Sequence, residues 1–83
     1  MDEKIIIICK LIEDSTKDKK KINIDTDLLE ENILDSITFV NLVNKIEKIF
    51  RIKFDLIDLS VDNFRNVYLI SEMIDRKYSE LNN

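Results

Sequence analysis

Apolar residues recur at helical spacing in three stretches of the chain, and they predict three helices. The clearest stripe follows Asp35 in steps of three and four, with polar residues on the other side. Its members are Ile37, Val40, Val43, Ile46, Ile49 and Phe50. A last helix is predicted from an N-cap near Asn66, with Val67, Ile70 and Ile74 in its stripe.

The first stretch, about residues 2–14, also has helical spacing, through Ile5, Ile8, Cys9 and Ile12. The isoleucine run on its own would also suit a buried strand. Its length and charged flanks favour a helix, because acidic residues are stabilised at a helix N-terminus. A short turn or helix is expected over 55–59.

Residues 22–34 show no helical period, since their apolar side chains are scattered among Asp, Asn and Glu. A long loop with apolar anchors is usually packed and functional. A basic run precedes it, over residues 17–21, and most simply forms a solvated loop. The pattern predicts one all-α domain, 1–83, of three longer helices and a short one, with a long loop between helices 1 and 2.

Composition narrows the function classes. The net charge of −4 and the pI near 4.8 argue against a nucleic-acid binder and against binding to anionic membranes. The single cysteine excludes an intrachain disulfide, and the absence of histidine removes the commonest general base and metal ligand. The apolar N-terminal run is too short for a membrane span and lacks signal-peptide features, so we expect a cytoplasmic protein.

Eighty-three residues form one modest core without a deep active-site cleft. No acid–base pair or nucleophile–base set is visible, so we expect no catalytic residues and no enzyme activity. The acidic side chains of residues 25–31 lack the glycine and the spacing of an EF-hand, so we also expect no metal site.

The candidate chemistry lies at the start of the second helix. Asp35 suits the N-cap position, where its carboxylate can accept from the backbone N–H of Ile37 or Thr38. Ser36 then stands at the first helical position, with its hydroxyl facing away from the core. A phosphodiester on this hydroxyl would be favoured by the unpaired N–H groups and the positive dipole end of the helix.

These residues resemble the carrier-protein family that binds phosphopantetheine. The Asp-Ser-aliphatic motif stands as Asp35-Ser36-Ile37, preceded by Asn32-Ile33-Leu34 and, further upstream, by Asp25-Thr26-Asp27-Leu28-Leu29. The resemblance covers roughly residues 25 to 75 and is closest to D-alanyl carriers and free-standing aminoacyl carriers. It implies an acyl-carrier-like helical bundle with 4′-phosphopantetheine attached to Ser36, flanked by the motif residues Asp35 and Ile37.

The resemblance also implies a function and partners. A phosphopantetheinyl transferase would modify Ser36, an adenylating ligase would load an acyl or aminoacyl group as a thioester, and a downstream acyl transferase or synthase would receive it. Ile37, Val40 and Asn41 are expected to contact these enzymes. A carrier that visits several enzymes is expected to be monomeric.

Two positions depart from the family pattern. The motif glycine is replaced by Asn32, which tolerates the left-handed conformation better than other non-glycine residues. The second predicted helix, which partner enzymes recognise in fatty-acid carriers, is usually acidic in those carriers. Here it is expected to expose Lys45 and Lys48. The alternative to a carrier is a small helical interaction module without a prosthetic group, in which Ser36 only belongs to a helix cap.

Overall fold

The computed structural model describes residues 2–16 and 21–81. In these residues it contains three α-helices, α1 (Glu3–Ser15), α2 (Ser36–Phe50) and α3 (Val67–Leu81). Two short 3₁₀ helices, η1 (Leu56–Leu59) and η2 (Val61–Phe64), lie between α2 and α3. The predicted all-α fold is therefore confirmed, and the one short helix expected over 55–59 is followed by a second that the periodicity did not predict. Most of the predicted basic loop, residues 17–20, lies outside the described residues.

Each α-helix begins at a side-chain cap. Asp2 accepts a hydrogen bond from the Lys4 N–H, and Asn66 accepts one from the Leu69 N–H at 2.8 Å. These acceptors pair N–H groups that the first turn leaves without a backbone partner. The isoleucine-rich segment is a helix, as expected, and not a strand, and the Asp2 cap stabilises its N-terminus.

The core forms where α1 packs against both α2 and α3, and where η2 packs against α3. Its fully buried members come from all three helices, the long loop and η2, and include Ile8, Ile12, Leu28, Leu42, Ile46, Phe64, Ile70 and Ile74. Tyr78 adds a polar tie by donating its hydroxyl hydrogen to the Phe50 carbonyl at 2.9 Å. None of the described helices is long and apolar enough to cross a membrane.

Two of the described residues adopt left-handed backbone conformations, and the chain contains no glycine. Asn32 has φ of 56° in the long loop, as its side chain suggested, and Arg51 has φ of 56° at the C-terminus of α2. The Arg51 N–H and the Ile52 N–H both donate to the Glu47 carbonyl at the end of the helix. Arg51 thus occupies the left-handed position at a helix C-terminus where glycine is usual. Arg51 was not predicted to take this position.

Candidate functional site

Ser36 is exposed and is the first residue of α2. Asp35 precedes it in an extended conformation, and its Oδ1 accepts from the Thr38 N–H at 2.8 Å. The sequence analysis named the backbone N–H groups of Ile37 and Thr38 as possible donors to Asp35, and the Thr38 N–H makes the capping hydrogen bond. The Ser36 hydroxyl is accessible from solvent at the positive end of the α2 dipole.

The long loop fixes the approach to this helix end. Leu28 is fully buried, and its carbonyl accepts from the N–H groups of both Ile33 and Leu34, at 2.9 and 3.0 Å. Its own N–H donates to the Arg65 carbonyl at 2.8 Å, which ties the loop to the segment before α3. Ile33 and Leu34 are themselves buried, so the chain is anchored in the core up to the residue before Asp35. This anchoring fixes the point at which Asp35 and Ser36 reach the surface.

An open apolar cavity of about 330 Å³ lies beside Ser36. Its walls come from the long loop, the first turn of α2 and both 3₁₀ helices: Leu29, Leu34, Asp35, Ser36, Phe39, Leu59, Val61 and Phe64. The sequence did not predict the wall formed by Leu59, Val61 and Phe64, since the short helices gave no periodic signal.

Phe64 is the fully buried member of that wall. It is fully buried and makes edge-to-face contacts with Phe39 and Phe54, with ring centroids 4.9 and 5.9 Å away. Such pairs add to the stabilisation from burial alone. The cavity floor is therefore part of the core, whereas its rim is exposed.

The sequence of this chain matches a family model described as phosphopantetheine attachment site, over residues 7–74. The chain belongs to this family. Its members are carriers that bind 4′-phosphopantetheine covalently on a serine and have no catalytic activity of their own. No significant match was found among curated proteins or among solved structures.

The carrier domain contains five serines, in different environments. Ser71 is buried, and Ser15 donates its hydroxyl hydrogen to the Leu11 carbonyl near the end of α1. Ser79 is exposed but lies beyond the matched residues, and Ser60 is exposed between η1 and η2. Ser36 combines exposure with a helix N-terminus and an adjoining cavity.

The residues around Ser36 fit the prosthetic group of the family. The hydroxyl is accessible to a transferase, and the helix N-terminus favours the negative charge of a phosphodiester. The cavity beside the hydroxyl offers an apolar surface along which a pantetheine chain can lie.

The flanking residues assigned to partner contact are all exposed in the carrier domain. Ile37 is 75 % exposed and Val40 is 55 % exposed, and Asn41 is also open to solvent. Both aliphatic side chains are therefore open to solvent next to the candidate attachment site. Lys45 and Lys48 are exposed further along the same helix.

Asp27, one of the acidic residues of the long loop, has a structural role. Asp27 accepts from the N–H groups of Leu29 and Glu30, and its Oδ2 accepts from Arg65 at 3.0 Å. These donors lower the pKa of Asp27, chiefly through the backbone hydrogen bond from Glu30. Within residues 2–16 and 21–81, no group of three potential ligand side chains could hold a metal ion.

The Asp35 cap makes stability depend on pH. The hydrogen bonds from Thr38, the backbone one foremost, hold the pKa of Asp35 below its ordinary value near 3.8. The carboxylate therefore contributes stability that is fully present above pH 3.8 and is lost as the pH falls through the lower, folded-state pKa. We expect the unfolding free energy to decrease more steeply below pH 3.8 in the wild type than in Asp35→Asn, whose amide can cap but does not titrate there.

Urea unfolding followed by circular dichroism between pH 2 and 6 measures this difference, and carbon NMR of the Asp35 carboxyl gives its pKa directly. Parallel acid dependence in the two proteins, or an Asp35 pKa at or above its ordinary value, would contradict the cap.

Proposed function

We propose that Ser36 is the serine of this carrier that holds 4′-phosphopantetheine. We further propose that the thiol at the end of this prosthetic group carries an acyl or aminoacyl group as a thioester. The observation that supports this most is the exposed Ser36 hydroxyl at the start of α2, next to an apolar cavity. Asp35 and Ile37 complete the motif, one as the helix cap and the other as an exposed neighbour.

The other serines are poorer candidates on physical grounds. A transferase would have to unfold the core to reach Ser71, and Ser15 lies at the negative end of the α1 dipole, which disfavours a phosphodiester. Ser60 is exposed but has no α-helix N-terminus. Ser60 is thus the natural control for Ser36.

The attachment reaction follows from the chemistry of coenzyme A. The Ser36 hydroxyl oxygen attacks the phosphorus that bears the pantetheine arm, a P–O bond forms, and the diphosphate P–O bond breaks. Adenosine 3′,5′-bisphosphate leaves, and the Ser36 proton passes to a base of the phosphopantetheinyl transferase, whose Mg²⁺ stabilises the developing charge. Ser36 needs no base within the carrier, so the absence of histidine from the chain is no obstacle.

Loading requires further partner enzymes. An adenylating ligase would transfer the acyl group of its acyl adenylate to the thiol: the thiol sulfur forms a C–S bond to the carbonyl carbon, the bond from that carbon to the phosphate oxygen breaks, and AMP leaves. A downstream acyl transferase or synthase would then receive the acyl group, delivered at high effective concentration by the tethered arm. We assign Ile37, Val40 and Asn41 to contact with these enzymes, because they are exposed beside Ser36.

We place this protein nearest the D-alanyl and other free-standing aminoacyl carriers. The support is the run Ile33-Leu34-Asp35-Ser36-Ile37, together with an α2 surface that exposes Lys45 and Lys48. A basic α2 is a poor match for enzymes that dock on an acidic helix. We further propose that the carrier works as a monomer in the cytoplasm.

Intact-mass measurement of the wild-type protein tests the carrier role. After incubation with coenzyme A, Mg²⁺ and a broad-specificity phosphopantetheinyl transferase, we expect the mass to increase by one phosphopantetheine. Incubation without the transferase is the control and should leave the mass unchanged. A folded protein that gains no mass with two different transferases would favour the alternative, a helical interaction module in which Ser36 only begins a helix.

A further inference from the structure

A second cavity lies along α2, next to the cavity beside Ser36. It has a volume of about 260 Å³ and shares two wall residues with the first cavity, Phe39 of α2 and Leu59 of η1. The two cavities therefore adjoin each other between α2 and η1. The walls of the second cavity are Phe39, Val40, Val43, Asn44, Glu47 and Leu59.

The length of the prosthetic group matches the distance from Ser36 to this second cavity. The group has about fourteen bonds between the Ser36 oxygen and its sulfur, and an extended chain of that length spans about 16 Å. Asn44 lies about 12 Å and Glu47 about 16 Å from Ser36 along the α2 axis, at a rise of about 1.5 Å per residue. A small group attached to the sulfur can therefore reach the second cavity.

The end of the second cavity farthest from Ser36 is polar, whereas its sides are apolar. Glu47 is half-buried there, and its Oε2 accepts a hydrogen bond from the Phe54 N–H at 2.9 Å, which holds the carboxylate in place. Its other oxygen, Oε1, has no hydrogen-bond or ion-pair partner among the described residues. Asn44 lies one helical turn earlier and is exposed.

No cation of the described residues pairs with Glu47. Arg51, Lys53 and Lys77 border a separate cavity together with Glu47, but none of the three forms an ion pair with it. Lys77 is already paired with three other carboxylates. The two exposed lysines of α2 border neither of these two cavities. The Glu47 carboxylate is therefore available to a cation that enters the second cavity.

We propose that the second cavity binds the aminoacyl end of the loaded prosthetic group, with the Glu47 carboxylate paired to the α-ammonium group. The proposal rests on attachment at Ser36, and it names the cargo as an amino acid with a small apolar side chain. Val40 and Val43 form the apolar side of the site, and the Asn44 amide supplies a second hydrogen-bonding group.

The size and exposure of the site agree with a small, tethered cargo. Pockets that enclose drug-sized ligands have volumes of about 300 Å³ or more, so the second cavity is too small for a long acyl chain. A partly exposed ion pair is weak in itself. Attachment through the same chain keeps the ammonium group at a high effective concentration, so that a weak pair is still populated.

NMR spectroscopy of loaded carriers tests the proposal. A phosphopantetheinyl transferase attaches alanyl- or propionyl-phosphopantetheine from the matching coenzyme A thioester, and the intact mass verifies the loading. The two cargoes have the same carbon skeleton, but only the alanyl group has an ammonium group. We expect the alanyl cargo to shift the backbone amide signals of residues 43–48 and the Asn44 side-chain signal more than the propionyl cargo does.

Glu47→Gln removes the charge but keeps the shape and an oxygen that can accept from the Phe54 N–H. We expect this variant to reduce the alanyl-specific shifts about twofold or more, and to lower the pKa of the alanyl ammonium group, because a nearby carboxylate stabilises its charged form. Carbon NMR of isotope-labelled alanyl cargo across pH measures this pKa. The matched control is Glu72→Gln on α3, which should change neither quantity, since Glu72 is also half-buried and accepts one hydrogen bond, from the Tyr68 hydroxyl.

The outcomes separate this proposal from the attachment itself. A wild type that gains neither alanyl- nor propionyl-phosphopantetheine contradicts attachment at Ser36. A loaded wild type in which both cargoes cause the same shifts overturns the aminoacyl site alone. A Glu47→Gln variant that is folded by circular dichroism, and that keeps the wild-type shifts and ammonium pKa, overturns it as well.

Discussion

The Ser36→Ala variant is expected to remain folded and to gain no phosphopantetheine under conditions that fully modify the wild type. Loss of the hydroxyl removes the nucleophile, and no other serine combines exposure with the N-terminus of an α-helix. Alanine is tolerated at the first helical position, because the cap hydrogen bond is made by Asp35 and not by Ser36. The mass of the intact protein after the transferase reaction measures the effect.

Ser60→Ala is the matched control for this prediction. Ser60 is the other exposed serine within the matched region, and it lies between the two 3₁₀ helices that wall the same cavity. We expect Ser60→Ala to be modified as fully as the wild type. Continued modification of Ser36→Ala, or loss of modification in Ser60→Ala, would contradict attachment at Ser36.

The Phe64→Ala variant is expected to lose about 3–5 kcal/mol of unfolding free energy. Phe64 is fully buried and makes two edge-to-face ring contacts, so truncation leaves a cavity and removes aromatic pairs with Phe39 and Phe54. A domain of this size has roughly 4–12 kcal/mol in total, so the variant is close to the unfolding threshold.

Urea unfolding followed by circular dichroism measures this loss. Phe64→Leu keeps most of the volume but also removes both ring pairs, so it should lose about 1–3 kcal/mol, less than Phe64→Ala, which keeps the test quantitative if the alanine variant does not fold. Leu56→Ala is the exposed control and should stay within about 0.5 kcal/mol of the wild type. Equal losses in Phe64→Ala and Leu56→Ala would contradict the described core.

The sequence predicted those parts of the fold that depend on local signals. The apolar stripe of α2 and the short polar side chains of Asp35 and Asn66 are sufficient to locate two helix starts, because a cap acts within one turn. Asn32 was expected to tolerate the left-handed conformation that it adopts.

The parts that could not be predicted depend on contacts distant in sequence. Lys77 forms salt bridges with Asp55 and Asp58, which lie about twenty residues before it in the sequence. No periodicity relates these positions. The η2 helix is a single turn that ends in Phe64, and no local periodicity indicates that this ring is buried. The wall of the Ser36 cavity was therefore absent from the sequence-based prediction, whereas Ser36 itself was predicted from its motif.

The position of the prosthetic group on the chain tests the central proposal most directly. Each of the five serines falls in a different tryptic peptide, and Ser36 is the only serine of the peptide 22–45. Tandem mass spectrometry of the transferase-treated wild type should find phosphopantetheine on that peptide, at Ser36. Phosphopantetheine on the peptide 54–65, which contains Ser60, with 22–45 unmodified would contradict it.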